Sequence, residues 1–120
     1  GEGCGRVNLL PILGQHVTYN AYKKKYVQQY RNGIEEEPIL GLEQYSHYQL
    51  FWFSSAQPLC TPTPLDNETK IDLLLMDTHS PYACRVNQVF QNLPDFGRDF
   101  NCPIGSPMRP LEKEQCKVWT

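Results

Sequence analysis

The side chains able to do chemistry in this 120-residue chain are few, and their spacing excludes more than it admits. The three histidines are His16, His47 and His79, and no two stand four residues apart. A helical zinc pair needs histidines at i and i+4, because that spacing puts both imidazoles on one face. The five cysteines, Cys4, Cys60, Cys84, Cys102 and Cys116, form no Cys-x-x-Cys pair, so a structural zinc site is not expected. Disulfides made in an oxidising compartment are the better use for so many thiols in so short a chain. Their number is odd, so one thiol stays free or bonds another chain. Asn67-Glu68-Thr69 is an N-glycosylation sequon, in keeping with secretion.

Helices must position these groups. Tyr19, Tyr22, Tyr26 and Tyr30 recur at helical spacing with Lys23, Lys24, Lys25, Gln28 and Gln29 between them. That pattern predicts an amphipathic helix stopped by Asn32-Gly33, its tyrosines forming a core face with wet hydroxyl tips and its lysines a solvated face. Glu35-Glu36-Glu37-Pro38 reads as a hydrated loop. A second helix begins at Ser46, with Gln49 completing a capping box. It carries Leu50, Phe51, Trp52, Phe53 and Ala56, is apolar nearly all round, and should be buried on more than one side before Pro58 ends it. Thr61-Pro62-Thr63-Pro64 is a stiff linker, and Asp66 can cap a third helix with Ile71, Leu74 and Leu75 on one face. Ser80-Pro81 breaks the pattern. A short helix follows, with Pro94 near its first turn and Phe96 and Phe100 at i, i+4. The proline-rich tail after Cys102 should be irregular. It ends in Val118-Trp119 and needs pinning, a role open to Cys116. The fold class expected is mainly α, a small disulfide-bonded helical domain spanning residues 1–120.

Hydrophobic residues make up 40% and charged residues 20% of the chain, as in ordinary globular domains. A net charge of −2 gives no bulk reason to expect nucleic acid or an anionic membrane as partner. The apolar run Leu73–Met76, which no other exceeds in length, is far too short to span a bilayer.

Four stretches, taken in order, resemble one family. They are Tyr19-Asn20-Ala21-Tyr22; Gln49-Leu50-Phe51-Trp52-Phe53-Ser54-Ser55-Ala56-Gln57 running to Cys60; Asp77-Thr78-His79-Ser80-Pro81 with Arg85-Val86-Asn87; and Gln91-Asn92-Leu93-Pro94-Asp95-Phe96 with Phe100-Asn101-Cys102, Ser106-Pro107-Met108 and Cys116-Lys117-Val118-Trp119. Over roughly residues 18–119 the chain is similar to the C-terminal segment of the neprilysin and endothelin-converting-enzyme family of zinc metallopeptidases.

The resemblance implies a zinc held by an H-E-x-x-H helix and by the glutamate of a later E-N-x-x-D helix. The first motif is absent. Counting back from Tyr19 without a gap puts Val7 at the glutamate, Asn8 at the asparagine and Pro11 at the aspartate. Valine cannot ligate zinc and proline cannot orient a histidine, so no zinc is expected unless another chain supplies it. The resemblance also implies that His79 stabilises an oxyanion, that Asp77 orients it, and that Arg85 binds a substrate carbonyl. The alternative use is structural, with His79 bonding a loop carbonyl and Arg85 paired to Asp77 or Asp95. Cys60, Cys102 and Cys116 match family cysteines whose partners lie outside this chain. If the chain stands alone, a Cys60–Cys102 bond and a Cys4–Cys116 bond are expected, leaving Cys84 over.

The function expected is therefore a secreted, non-catalytic relative that binds a peptide or protein partner. The alternatives are a subunit or fragment of a metalloendopeptidase whose zinc helix is on another chain, disulfide-linked or associated, and a structural component of a larger secreted assembly.

Overall fold

The computed structural model describes residues 6–60, 66–76 and 82–117. The expectations on Cys4, on Thr61-Pro62-Thr63-Pro64, on Asp77, His79 and Ser80-Pro81, and on Val118-Trp119 lie outside these residues. The described residues form five α-helices: α1 (Arg6–Arg31), α2 (His47–Ala56), α3 (Asn67–Met76), α4 (Tyr82–Gln91) and α5 (Pro94–Asp99). The protein is mainly α. Among the described residues there is no strand, only an isolated bridge between Ser106 and Arg109.

The tyrosine stripe lies on α1, but the helix starts far upstream of it and runs through Pro11. Pro11 costs the helix one backbone bond, to the carbonyl four residues back. Tertiary packing sustains it there, since Ile12 is wholly buried and Tyr19, two turns on, is 2% exposed. The stripe then leaves the core: Tyr30 is 62% exposed. Gly33 ends the helix at φ +75°, a backbone region that suits glycine. Its N–H donates to the Tyr30 carbonyl and that of Ile34 to Gln29, a Schellman motif that satisfies two terminal carbonyls.

The capping box of α2 forms: the Gln49 N–H donates to Ser46 Oγ at 3.1 Å, and the Ser46 N–H donates to Gln49 Oε1 at 3.0 Å. Burial of α2 is more one-sided than its composition predicts. Trp52 is buried, but Phe53 is half-exposed and packs edgewise on Tyr45 and Phe100. Asp66 caps α3 by accepting the Thr69 N–H at 2.7 Å. Of the apolar face expected of α3, Ile71 and Leu75 both lie open to solvent, and the Leu74 side chain lies outside the description.

An additional helix, α4, occupies the stretch between Pro81 and Pro94. Val86, Val89, Phe90 and Leu93 form an i, i+3, i+4, i+7 stripe from α4 onto the turn that follows, and its last three members are buried. Pro94 opens α5, where it forfeits no helical hydrogen bond. Phe96 and Phe100 meet with ring centroids 4.8 Å apart. The core gathers where α1 lies along α4, with α2 and α5 closing it. Trp52 is its centre, stacked on Tyr19 at 5.0 Å and meeting Phe90 and Phe96 edge-on.

Candidate functional site

Of the three residues assigned to oxyanion and substrate binding, Asp77 and His79 lie outside the described residues. Arg85 stands half-buried on α4. Asp95, one of its conceivable structural partners, pairs with Arg98 on its own helix. Packing of α1 along α4 brings the helix that holds positions 7, 8 and 11 against the helix that holds Arg85. The two elements on which family-type site residues would stand are thus neighbours.

Valine at position 7 and proline at position 11 do not fit a zinc ion. Positions 7 and 11 lie about one turn apart on α1, where a ligand and its orienting carboxylate would sit, but valine and proline have no donor to give. Among the described residues no group of three or more His, Cys, Asp or Glu side chains is placed to hold a metal. His16 and His47 stand on different elements, and neither belongs to such a group.

Among the described residues two polar constellations stand out, and neither is evident from local sequence. Asp99 Oδ2 accepts two hydrogen bonds from the core, one from the Tyr19 hydroxyl at 2.7 Å and one from Trp52 Nε1 at 2.8 Å. Its backbone carbonyl also takes Gln49 Nε2 at 2.9 Å. One residue at the end of α5 therefore ties α1, α2 and α5 together. Burial, and then the bond to Asp99, pushes the Tyr19 phenol far above its usual range. Glu36 makes the second constellation. Its Oε2 accepts from the Tyr22 hydroxyl at 2.8 Å and lies 3.8 Å from His47 Nδ1. Tyr22 is raised for the same two reasons, burial first and Glu36 second. The acidic loop is therefore not simply hydrated: its middle carboxylate fastens the connection between α1 and α2.

The thiols depart from the pairing expected of an isolated chain. Cys60 and Cys102 are both free. Cys60 is exposed with Sγ turned back to the Ala56 carbonyl of its own turn, 3.9 Å away. Cys102 is held elsewhere, its N–H donating to Gly97 and its carbonyl accepting from Arg109 Nη1, each at 2.9 Å. Local bonds thus fix each cysteine in its own surroundings. Cys84 on α4 is also free. Cys116 is disulfide-bonded. The tail is also pinned by buried Asn92, whose Oδ1 accepts the Cys116 N–H at 2.7 Å, and by Gln115, which donates to the Gln91 carbonyl. Asn67 is exposed at the start of α3. No helix among the described residues is long and apolar enough to cross a membrane.

Comparison with known proteins fits this picture. The model of peptidase family M13 matches residues 11–117. Neprilysin-1 of Caenorhabditis elegans is 38% identical over 120 residues, covering 95% of this chain and 15% of the relative. Endothelin-converting enzyme 1 of Bos taurus is 36% identical over 120 residues, covering 94% of this chain and 15% of the relative. An endothelin-converting enzyme homolog of Locusta migratoria is 36% identical over 117 residues. No solved structure matches. This chain spans about 15% of the length of these relatives, and with a family match over most of its residues it belongs to peptidase family M13.

Proposed function

We propose that this chain is a secreted, peptide-contacting part of a neprilysin-type fold that supplies no zinc ligand of its own. The observation that carries the reading is the packing of α1 on α4. It sets the helix bearing Arg85 beside the helix on which Val7 stands at the ligand position and Pro11 at that of the orienting aspartate. A guanidinium presents a rigid fork of donors to a peptide carbonyl or carboxylate. His79, six residues before Arg85, adds a donor for a second oxygen. These groups bind and orient an extended backbone, and neither activates water. The disulfide at Cys116 supports an oxidising compartment, and exposed Asn67 is open to a glycan.

The test is the affinity of a fluorescent peptide for the chain. Arg85→Gln and His79→Gln should each weaken binding about tenfold, as expected for loss of one charge-assisted contact, with an unchanged helical circular dichroism spectrum. A chelator should leave the affinity alone. Binding that ignores both substitutions would remove the site and leave a purely structural component.

A second reading has its own support. Cys60 and Cys102 are free at positions where the family has bonded cysteines, and Leu10, Leu40 and Leu75 are 77%, 94% and 76% exposed. Such thiols and apolar side chains suit a metalloendopeptidase lobe completed by another segment or chain that carries the zinc helix. Intact mass with and without reduction separates the two. Release of a second chain on reduction favours the completed peptidase. A mass equal to this chain, less the hydrogens of paired thiols, favours the self-contained binder.

A further inference from the structure

Helix α1 is electrostatically one-sided. It carries five cations, Arg6, Lys23, Lys24, Lys25 and Arg31, and no Asp or Glu, in a chain whose net charge is −2. Three of the cations share a surface. Lys23, Lys24 and Arg31 line one groove along the C-terminal half of α1, together with the side-chain amides of Asn20, Gln28 and Asn32. The groove has a volume of about 560 Å³ and no carboxylate in its lining. Among the described residues, no ion pair uses any of these three cations. Lys25 lies apart, on the neighbouring face beside Tyr22 and Glu36.

We propose that this groove is a docking surface for a linear sulfated polysaccharide. Charge complementarity and shape carry the assignment. From Lys23 to Arg31 the helix rises about 12 Å, so the cations form a narrow row rather than a broad patch. A row of cations interspersed with amide donors suits a flexible chain of repeated monoanions. It suits an anionic lipid surface poorly, because the helix is followed at once by Glu35-Glu36-Glu37, all of them exposed. This choice of polyanion rests on the secreted reading proposed above, since outside the cell a basic row meets sulfated polysaccharides rather than nucleic acids. This surface is independent of the peptide-contacting site on α4, so either assignment can fail without the other.

The experiment titrates the full chain with a heparin oligosaccharide at several salt concentrations. Wild type should bind with an affinity that falls steeply with salt. The triple variant Lys23→Gln, Lys24→Gln, Arg31→Gln should lose about tenfold or more at moderate salt. Its dependence of log affinity on log salt should weaken by about one per cation removed, counterion release being the driving force. Lys25→Gln, on the adjoining face, is the control and should change little. Because every substituted side chain is exposed, an unchanged helical spectrum is expected for all variants. The assignment is overturned if the triple variant binds like wild type, or if Lys25→Gln weakens binding as much. It is also overturned if duplex DNA or vesicles of anionic lipid bind as tightly as the sulfated chain.

Discussion

Asp99 joins three helices through one carboxylate, so removing it should be felt throughout the core. Its Oδ2 holds the Tyr19 hydroxyl and the Trp52 indole N–H, on side chains that are 2% and 1% exposed. A hydrogen bond to a charged acceptor contributes about 1.5–3 kcal/mol net, and a donor left unpaired in the interior loses its full desolvation cost. Asp99→Ala strands both donors and should cost about 3–6 kcal/mol. That is a large part of the roughly 5–15 kcal/mol that holds a domain together. Asp99→Asn can still place an amide oxygen at the same point and should cost only about 1–2 kcal/mol, the difference between charged and neutral acceptors. Tyr19→Phe removes one donor and should fall between the two. Urea unfolding followed by Trp fluorescence gives the midpoints, with a constant slope confirming that the compared states are unchanged. In a double-mutant cycle, Asp99→Ala in the Tyr19→Phe background should cost about 1.5–3 kcal/mol less than in wild type. If Asp99→Ala costs under about 0.5 kcal/mol, or if the two changes simply add, the carboxylate is not the tie described.

Three further outcomes follow from individual contacts. Tyr19 and Tyr22 hold their protons in the folded chain at pH values where the unfolded chain, with ordinary tyrosines near 10, sheds them. Stability should be full below about pH 10 and fall above it, by about 1.4 kcal/mol per pH unit for Tyr19 alone. Urea midpoints across pH 8–11.5 will show this, and Tyr19→Phe should remove that share of the slope. Gly97 is buried, and a Cβ there would lie 2.6 Å from Arg109 Cγ and 2.7 Å from Cδ. Because these atoms are near the root of the side chain, Gly97→Ala should cost about 1–3 kcal/mol by overpacking and should loosen the bond from Arg109 to the Cys102 carbonyl. Asn92→Ala frees the Cys116 N–H from its acceptor. It should raise amide exchange at Cys116 and increase proteolysis of the tail, while α1 and α2 keep their protection.

The features legible in the sequence are those whose causes are local. Ser46 and Gln49 stand three residues apart and make a reciprocal cap. Asn32-Gly33 puts glycine where the left-handed turn needs it. Asp66 before α3 works the same way. The stripe Val86, Val89, Phe90, Leu93 was open to the same reasoning, and it marks α4 once the proline-bounded stretch is tested for a 3.6-residue period. Other features have no local cause. Asp99 meets Trp52 and Tyr19 across 47 and 80 residues, and nothing next to Asp99 announces them. The start of α1 depends on Ile12 finding a buried place, which overrides Pro11. Apolar composition alone also misjudged burial at Ile71, Leu75 and Phe53, because it records what a residue prefers and not what surface is there to meet it. At the candidate site, the family resemblance offered Arg85 as a candidate, while its position on a helix packed against α1 came from the fold.

Zinc titration of the chain by calorimetry, with the free thiols Cys60, Cys84 and Cys102 alkylated beforehand, tests the central claim most directly. A chain that contacts peptide but supplies no metal ligand should show no saturable zinc binding near the roughly 10–16 kcal/mol that built structural sites reach. It should also bind peptide equally well with and without chelator. One zinc per chain at such affinity, with chelator-sensitive cleavage of the bound peptide, would contradict it.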